Sequence, residues 1–116
     1  MYNYIHLDPA ELEFVALADV KELPPGERLF ATIDDIQLIV FNLAGKLFAI
    51  GDVCSHDGNV LDDAPVEGRE VVCPRHGARF DIQNGKAVSL PAVVDIPAYP
   101  VRVRENQIEV GVTKQR

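Results

Sequence analysis

Cysteine is scarce in this chain: there are two among 116 residues, with one methionine and no tryptophan. Two thiols cannot build the disulfide framework of a small secreted scaffold. They are also not needed as staples, because a chain this long buries roughly two-thirds of its unfolded surface. Long apolar runs are missing as well. The longest clean one, Leu38 to Phe41, is strand-length, far short of the roughly 20 residues that span a bilayer, so no membrane association is expected. Basic residues are outnumbered, with 11 Lys and Arg against 18 Asp and Glu and a formal charge of -7. That balance repels nucleic-acid backbones and anionic lipid surfaces. The N-terminal segment carries Asp8, Glu11 and Glu13 without an early Lys or Arg and without an apolar stretch, so no signal peptide and a cytoplasmic location are expected. Internal repeats, low-complexity tracts and coiled-coil heptads are absent. The length leaves no room for a nucleotide-binding domain beside a substrate domain, nor for a redox domain joined to a large oxygenase domain. One domain over residues 1–116 is the expectation.

What is present reads as an all-β protein, an antiparallel β-sandwich. Candidate strands cover residues 13–18, 28–33, 36–43 and 46–50, separated by Leu23-Pro24-Pro25-Gly26, Asp34-Asp35 and Ala44-Gly45, the turn chemistry of a meander. Short strands follow at 69–72, 79–82 and 86–89, the last two joined by Asn84-Gly85, the strongest hairpin signal in the chain. Pro91, Pro97 and Pro100 make residues 90–100 mostly loop or edge. Residues 101–104 and 107–112 alternate apolar with polar around Glu105-Asn106, as strands with one face in a core do. Pro9 permits a single helical turn near the start.

The chemistry sits where strands are lacking. Residues 50–69 hold no convincing strand, a second irregular segment follows Cys73, and irregular stretches of this kind in compact domains tend to carry function. The first contains Cys54-Ser55-His56-Asp57 and the second Cys73-Pro74-Arg75-His76-Gly77. The pattern is C-x-H, then residues 57–72, then C-x-x-H, and it uses both cysteines and two of the three histidines. His6 has no such partner and is expected at the surface. Thiolate with imidazole favours zinc, copper or an iron-sulfur centre over magnesium or calcium. Zinc sites draw on pairs spaced by two or more residues, for which C-x-H is unusual. A 2Fe-2S cluster held by two cysteines on one iron and two histidines on the other also suits the set. Structural zinc, and a Cys54 to Cys73 disulfide, remain as alternatives.

The two motifs, with Pro74 and Gly77 flanking the second, resemble the Rieske iron-sulfur domain, and especially the small Rieske-type ferredoxins, over residues 14–112. Residues 1–12 form an N-terminal extension to that likeness. The resemblance implies a Rieske-like β-sandwich with a small cluster-binding subdomain and one 2Fe-2S cluster per chain. Cys54 and Cys73 would bind one iron, and His56 and His76 the iron that accepts the electron. It further implies a cap near Pro91 and a pH-dependent potential at alkaline pH from exposed imidazole edges. Respiratory members of the family carry a disulfide across the two loops, for which no cysteine is left here. They also carry hydroxyl-bearing residues where this chain has Ala78 and Phe80. Fewer hydrogen bonds to sulfur leave electron density on a cluster and lower its potential, so a soluble low-potential carrier is expected, with a midpoint below zero.

All four protein ligands would be filled, with no two-His, one-carboxylate site for oxygen chemistry. An electron carrier rather than an enzyme is therefore expected. The partners that the resemblance implies are a flavin-dependent NAD(P)H reductase and a terminal oxygenase. The small subunit of an assimilatory nitrite reductase is the alternative, although that family often lacks the ligands that this chain keeps. A zinc-stabilised interaction module is the alternative of a different class. Asp52, Asp57, Asp62, Asp63 and Glu67 crowd the first loop, where they would either keep it solvated or steer a basic partner. Arg75 and Arg79 would serve solvation or docking.

Overall fold

The computed structural model describes residues 3–90 and 94–113. Two 3-10 turns open it, Tyr4–His6 and Pro9–Glu11. Each is capped by the residue before it: the Asn3 side chain accepts from the Ile5 N–H at 3.1 Å and Asp8 from the Ala10 N–H at 2.9 Å, the usual work of Asn and Asp at such ends. Strand β1 (Leu12–Asp19) leads to a third turn, Val20–Glu22, closed by a capping box between Asp19 and Glu22. The meander follows as β2 (Arg28–Ile33), β3 (Ile36–Leu43) and β4 (Lys46–Gly51). A second group contains β5 (Val66–Glu67), β6 (Glu70–Val72), β7 (Arg79–Asp81) and β8 (Ala87–Ser89). The chain ends with β9 (Ala98–Tyr99), β10 (Val101–Arg104) and β11 (Gln107–Thr113).

These strands form three antiparallel sheets, in the orders β1-β11-β10, β2-β3-β4-β9 and β5-β6-β7-β8. Strand β3 explains how they stack. Successive side chains on a strand point to opposite faces. Leu38 and Val40 enter one core with Ile108, Val110 and Val112, while Ile39 and Phe41 enter a second with Val71, Phe80, Ile82 and Ile96. The sheet of β2, β3, β4 and β9 is therefore the middle layer. Its central strand reads as a nearly continuous apolar run because both of its faces are covered.

The small sheet of β5 to β8 lies on one side and contributes to the core that contains both cysteines. All predicted strands form, with end shifts of a residue or two. The two-residue β5 falls inside the stretch read as irregular, being too short to show any alternation. Strand β9 lies between Pro97 and Pro100 at the end of its sheet, where β4 is its partner strand, the edge position that prolines permit. Pro91, with its expected cap, lies outside the described residues.

Two turns show why particular residues stand where they do. Glu105 and Asn106 both have positive φ, 53° and 66°, the pair that a primed hairpin turn requires. Gly85, at φ +75°, accepts a hydrogen bond from the Ile96 N–H at 2.8 Å, and a Cβ there would lie 2.2 Å from the Ile96 carbonyl oxygen. Only glycine admits that approach.

Candidate metal centre

The two irregular segments are built alike. In the first, which leaves β4, the Cys54 carbonyl accepts from the Gly58 N–H and the Cys54 N–H donates to the Asn59 carbonyl, both at 2.7 Å. In the second, between β6 and β7, the Cys73 carbonyl accepts from the Gly77 N–H at 2.8 Å and the Cys73 N–H donates to the Ala78 carbonyl at 2.7 Å. Each cysteine thus starts a one-turn loop closed four and five residues on. Each loop carries a left-handed glycine, Gly58 at φ +75° and Gly77 at +74°, where a Cβ would cost energy. The shared pattern is C-x-x-x-G. It stands in the sequence but is hidden there because the histidine occupies the third position of one loop and the fourth of the other.

Both cysteines are free and fully buried. Their sulfur atoms and a carboxylate oxygen of Asp57 lie within 4.8 Å of one another. His56 and His76 are exposed, and their rings meet edge to face with centroids 4.8 Å apart. The four candidate ligands are therefore arranged as a thiol pair inside and an imidazole pair outside. Burial pushes the Cys54 thiol above its ordinary pKa, so a bound cation is what would favour its thiolate. Two adjacent soft donors without a disulfide, backed by two imidazoles, suit an iron-sulfur centre or zinc and do not suit a hard cation. His6 is exposed in the first 3-10 turn, as expected.

Asp57 carries a role that the sequence did not reveal. Its carboxylate receives the Arg75 guanidinium, Nε at 2.6 Å and a terminal nitrogen at 3.3 Å, and also the Asn59 N–H at 2.9 Å. Those donors, Arg75 foremost, hold its carboxyl well below the usual carboxylate range. The pairing raises the Arg75 pKa further. The Asp52 carboxylate accepts the Leu61 and Asp62 N–H groups, each at 2.9 Å, and braces the base of the first loop. The Ser55 hydroxyl donates to the Val94 carbonyl, joining that loop to the segment before β9. Arg79 bonds Glu67 at 2.7 Å and Glu70 at 3.3 Å across the small sheet. Asp52, Asp57 and Glu67, expected either to solvate the loop or to steer a partner, are each engaged within the chain, as are Arg75 and Arg79.

This geometry defines a class: a β-protein whose paired loops each carry a cysteine and a histidine, with the two thiols brought together inside and the two imidazoles outside. The family model for the Rieske [2Fe-2S] domain matches residues 13–100, and the chain belongs to that family. It is 41% identical over 100 residues to the 3-phenylpropionate/cinnamic acid dioxygenase ferredoxin subunit of Shigella boydii, covering 80% of this chain and 88% of that one. Among solved structures it is similar to the ferredoxin of carbazole 1,9a-dioxygenase from Nocardioides aromaticivorans, with a TM-score of 0.78 and 31% identity over 84% of this chain and 95% of that chain. A Mycobacterium tuberculosis chain assigned as the small subunit of an NADH-dependent nitrite reductase has the same TM-score, 0.78, at 28% identity, covering 90% of this chain and 98% of the other. The cofactor of the family is a 2Fe-2S cluster, which the donor set fits. No helix among the described residues is long and apolar enough to cross a membrane.

Proposed function

We propose that Cys54 and Cys73 hold one iron of a 2Fe-2S cluster and His56 and His76 the other, and that the chain delivers single electrons to a terminal oxygenase. The observation that carries this is the pair of matching cysteine turns, with free buried thiols side by side and two exposed imidazoles beyond them. Bound there, the cluster supplies one-electron redox chemistry. The chain itself is an electron carrier, not an enzyme. Its thiols sit in a core from which water is excluded, and its imidazoles give the short path to the surface and to a partner. The relatives named as dioxygenase ferredoxin components support the oxygenase as acceptor, and a flavin-dependent NAD(P)H reductase is the proposed donor. Ala78 and Phe80, both buried and without hydroxyls, support a potential at the low end of the family's range. Two free thiols fit a reducing cytoplasm.

The test is iron, sulfide and zinc content with visible absorption and EPR before and after dithionite. Two irons and two sulfides with the low average g-value of a histidine-ligated cluster are expected, lost in Cys73→Ser and altered in His76→Cys. A colourless zinc protein would overturn the reading. The nitrite reductase likeness supports a second reading. Reduced protein that reoxidises with a Rieske oxygenase favours the first, and one that does so only with a nitrite reductase large subunit favours the second.

A further inference from the structure

The two ligand loops leave different sheets, and each is closed by hydrogen bonds to itself. The backbone bond between these two segments, from the Val72 N–H to the Pro65 carbonyl at 2.9 Å, lies at their base. Both cysteines are free, so no disulfide joins the tips. Arg75 makes the closest side-chain bond between them among the described residues, while His76 Nε2 lies 3.8 Å from an Asp57 oxygen and the His76 ring meets that of His56. From the second loop Arg75 grips both carboxylate oxygens of Asp57 in the first, at 2.6 and 3.3 Å, and a terminal nitrogen also reaches the Val60 carbonyl at 3.0 Å. Asp57 is in turn fixed by the Asn59 N–H, within the same turn that carries Cys54 and His56. Arg75 lies between Cys73 and His76. The pair therefore connects the two turns that present all four proposed ligands.

We propose that Arg75 and Asp57 form a cross-loop clamp, with Arg75 as a positioning residue that holds the two ligand turns at a fixed separation and sets the charge beside the centre. The idea rests on the ligand assignment above. A guanidinium suits the task because its planar fork binds a carboxylate through two donors while leaving others for a carbonyl, which an ammonium cannot do in one geometry. The clamp also places a cation and an anion together at the thiol pair, where a carboxylate oxygen lies within 4.8 Å of the sulfurs. Paired, their fields largely cancel. Unpaired, each would act on the centre with its own sign, because an added electron is disfavoured by a nearby anion and favoured by a nearby cation.

Two roles then give two separable readouts. If the pair is a clamp, Arg75→Gln and Asp57→Asn both shorten the lifetime of the cluster under a ferrous chelator, each on the order of fivefold, and the double variant is no shorter-lived than the singles. If the pair also sets the charge, the midpoint potential falls in Arg75→Gln, which leaves the carboxylate alone, and rises in Asp57→Asn, which leaves the guanidinium alone. A merely structural defect would not move the potential in opposite directions. Wild-type lifetimes in both singles, or additive effects in the double, would overturn the clamp. If Arg75→Gln does not fold, Arg75→Lys decides: a shortened lifetime at near wild-type potential supports the clamp, and a wild-type lifetime overturns it. A wild-type protein without iron would instead overturn the ligand assignment, which keeps the two failures apart.

Discussion

Tyr4 lies flat on Tyr99, the two ring centroids 4.9 Å apart and the planes 5° from parallel. The stack is part of a wider docking of the N-terminal segment. Asn3 forms a parallel bridge to Ala98 on β9, the edge of the middle sheet, and its amide donates to the Asn84 carbonyl at 3.4 Å in the β7–β8 turn. Ile5 packs against the core that holds the cysteines, and Tyr4 against the other core. The segment thus covers an open strand edge, a place where unpaired backbone invites association, and it touches both cores although the family match begins only at residue 13.

Truncating that contact should be felt by the whole fold. A stacked aromatic pair adds about 0.5–1.5 kcal/mol beyond its buried area, so Tyr4→Ala is expected to cost about 1–3 kcal/mol, while Tyr4→Phe keeps most of it. Urea denaturation midpoints measure the difference. A wild-type midpoint in Tyr4→Ala would mean that the segment rests on the surface without supporting it.

Tyr99 also gives the protein an alkaline limit. Burial, reinforced by Tyr4, pushes its phenol up to about 12, against roughly 10 in an unfolded chain. Between those values the unfolded chain has released a proton that the native state retains. Stability is then full below about pH 10 and falls as pH rises toward 12, by up to about 3 kcal/mol from this group. Tyr99→Phe should flatten that arm and change neutral-pH stability by no more than ~1 kcal/mol. Denaturation midpoints of both proteins across the alkaline range decide it. Parallel curves would place the alkaline loss elsewhere.

The sequence revealed what rests on local pattern. Alternation and the Ala44-Gly45, Asn84-Gly85 and Glu105-Asn106 turns located the strands. The C-x-H and C-x-x-H pairs located the loops that bring Cys54 beside Cys73 and His56 beside His76. What it concealed rests on distance along the chain. Asp57 and Arg75 are charged residues of a kind that any solvated loop displays, and only the fold aligns them across 18 positions. Val66–Glu67 is too short a strand to alternate. Tyr4 and Asn3 lie in a segment without periodicity, so their docking on β9 has no local signature.

Three glycines should respond differently to alanine. Gly58 and Gly77 have positive φ but open space around a would-be Cβ, so each substitution costs only the left-handed backbone penalty, about 1–2 kcal/mol. Gly85 adds a collision with the Ile96 carbonyl oxygen at 2.2 Å, which backbone cannot yield cheaply, and Gly85→Ala is expected to cost more than ~3 kcal/mol. Midpoints that rank Gly85→Ala with the other two would show that the β7–β8 turn moves away from Ile96 freely.

Removing the metal should loosen one core and spare the other. Leu38, Val40, Ile108 and Val110 pack in a cluster with no proposed ligand, whereas Cys54 and Cys73 are members of the second. Without a cation, two buried thiols and two exposed imidazoles lose what draws the cysteine turns together, while the strand pairing of β1, β3 and β11 is untouched. After chelation, hydrogen exchange at the Gly58 and Gly77 amides, which close the two turns, is expected to speed up on the order of 100-fold, against less than about tenfold at Val40 and Ile108. Equal acceleration everywhere would mean that the cores unfold as one unit and that the metal holds up the whole chain. No change at the turn amides would mean that the cysteine loops are formed by their own hydrogen bonds and merely receive the metal.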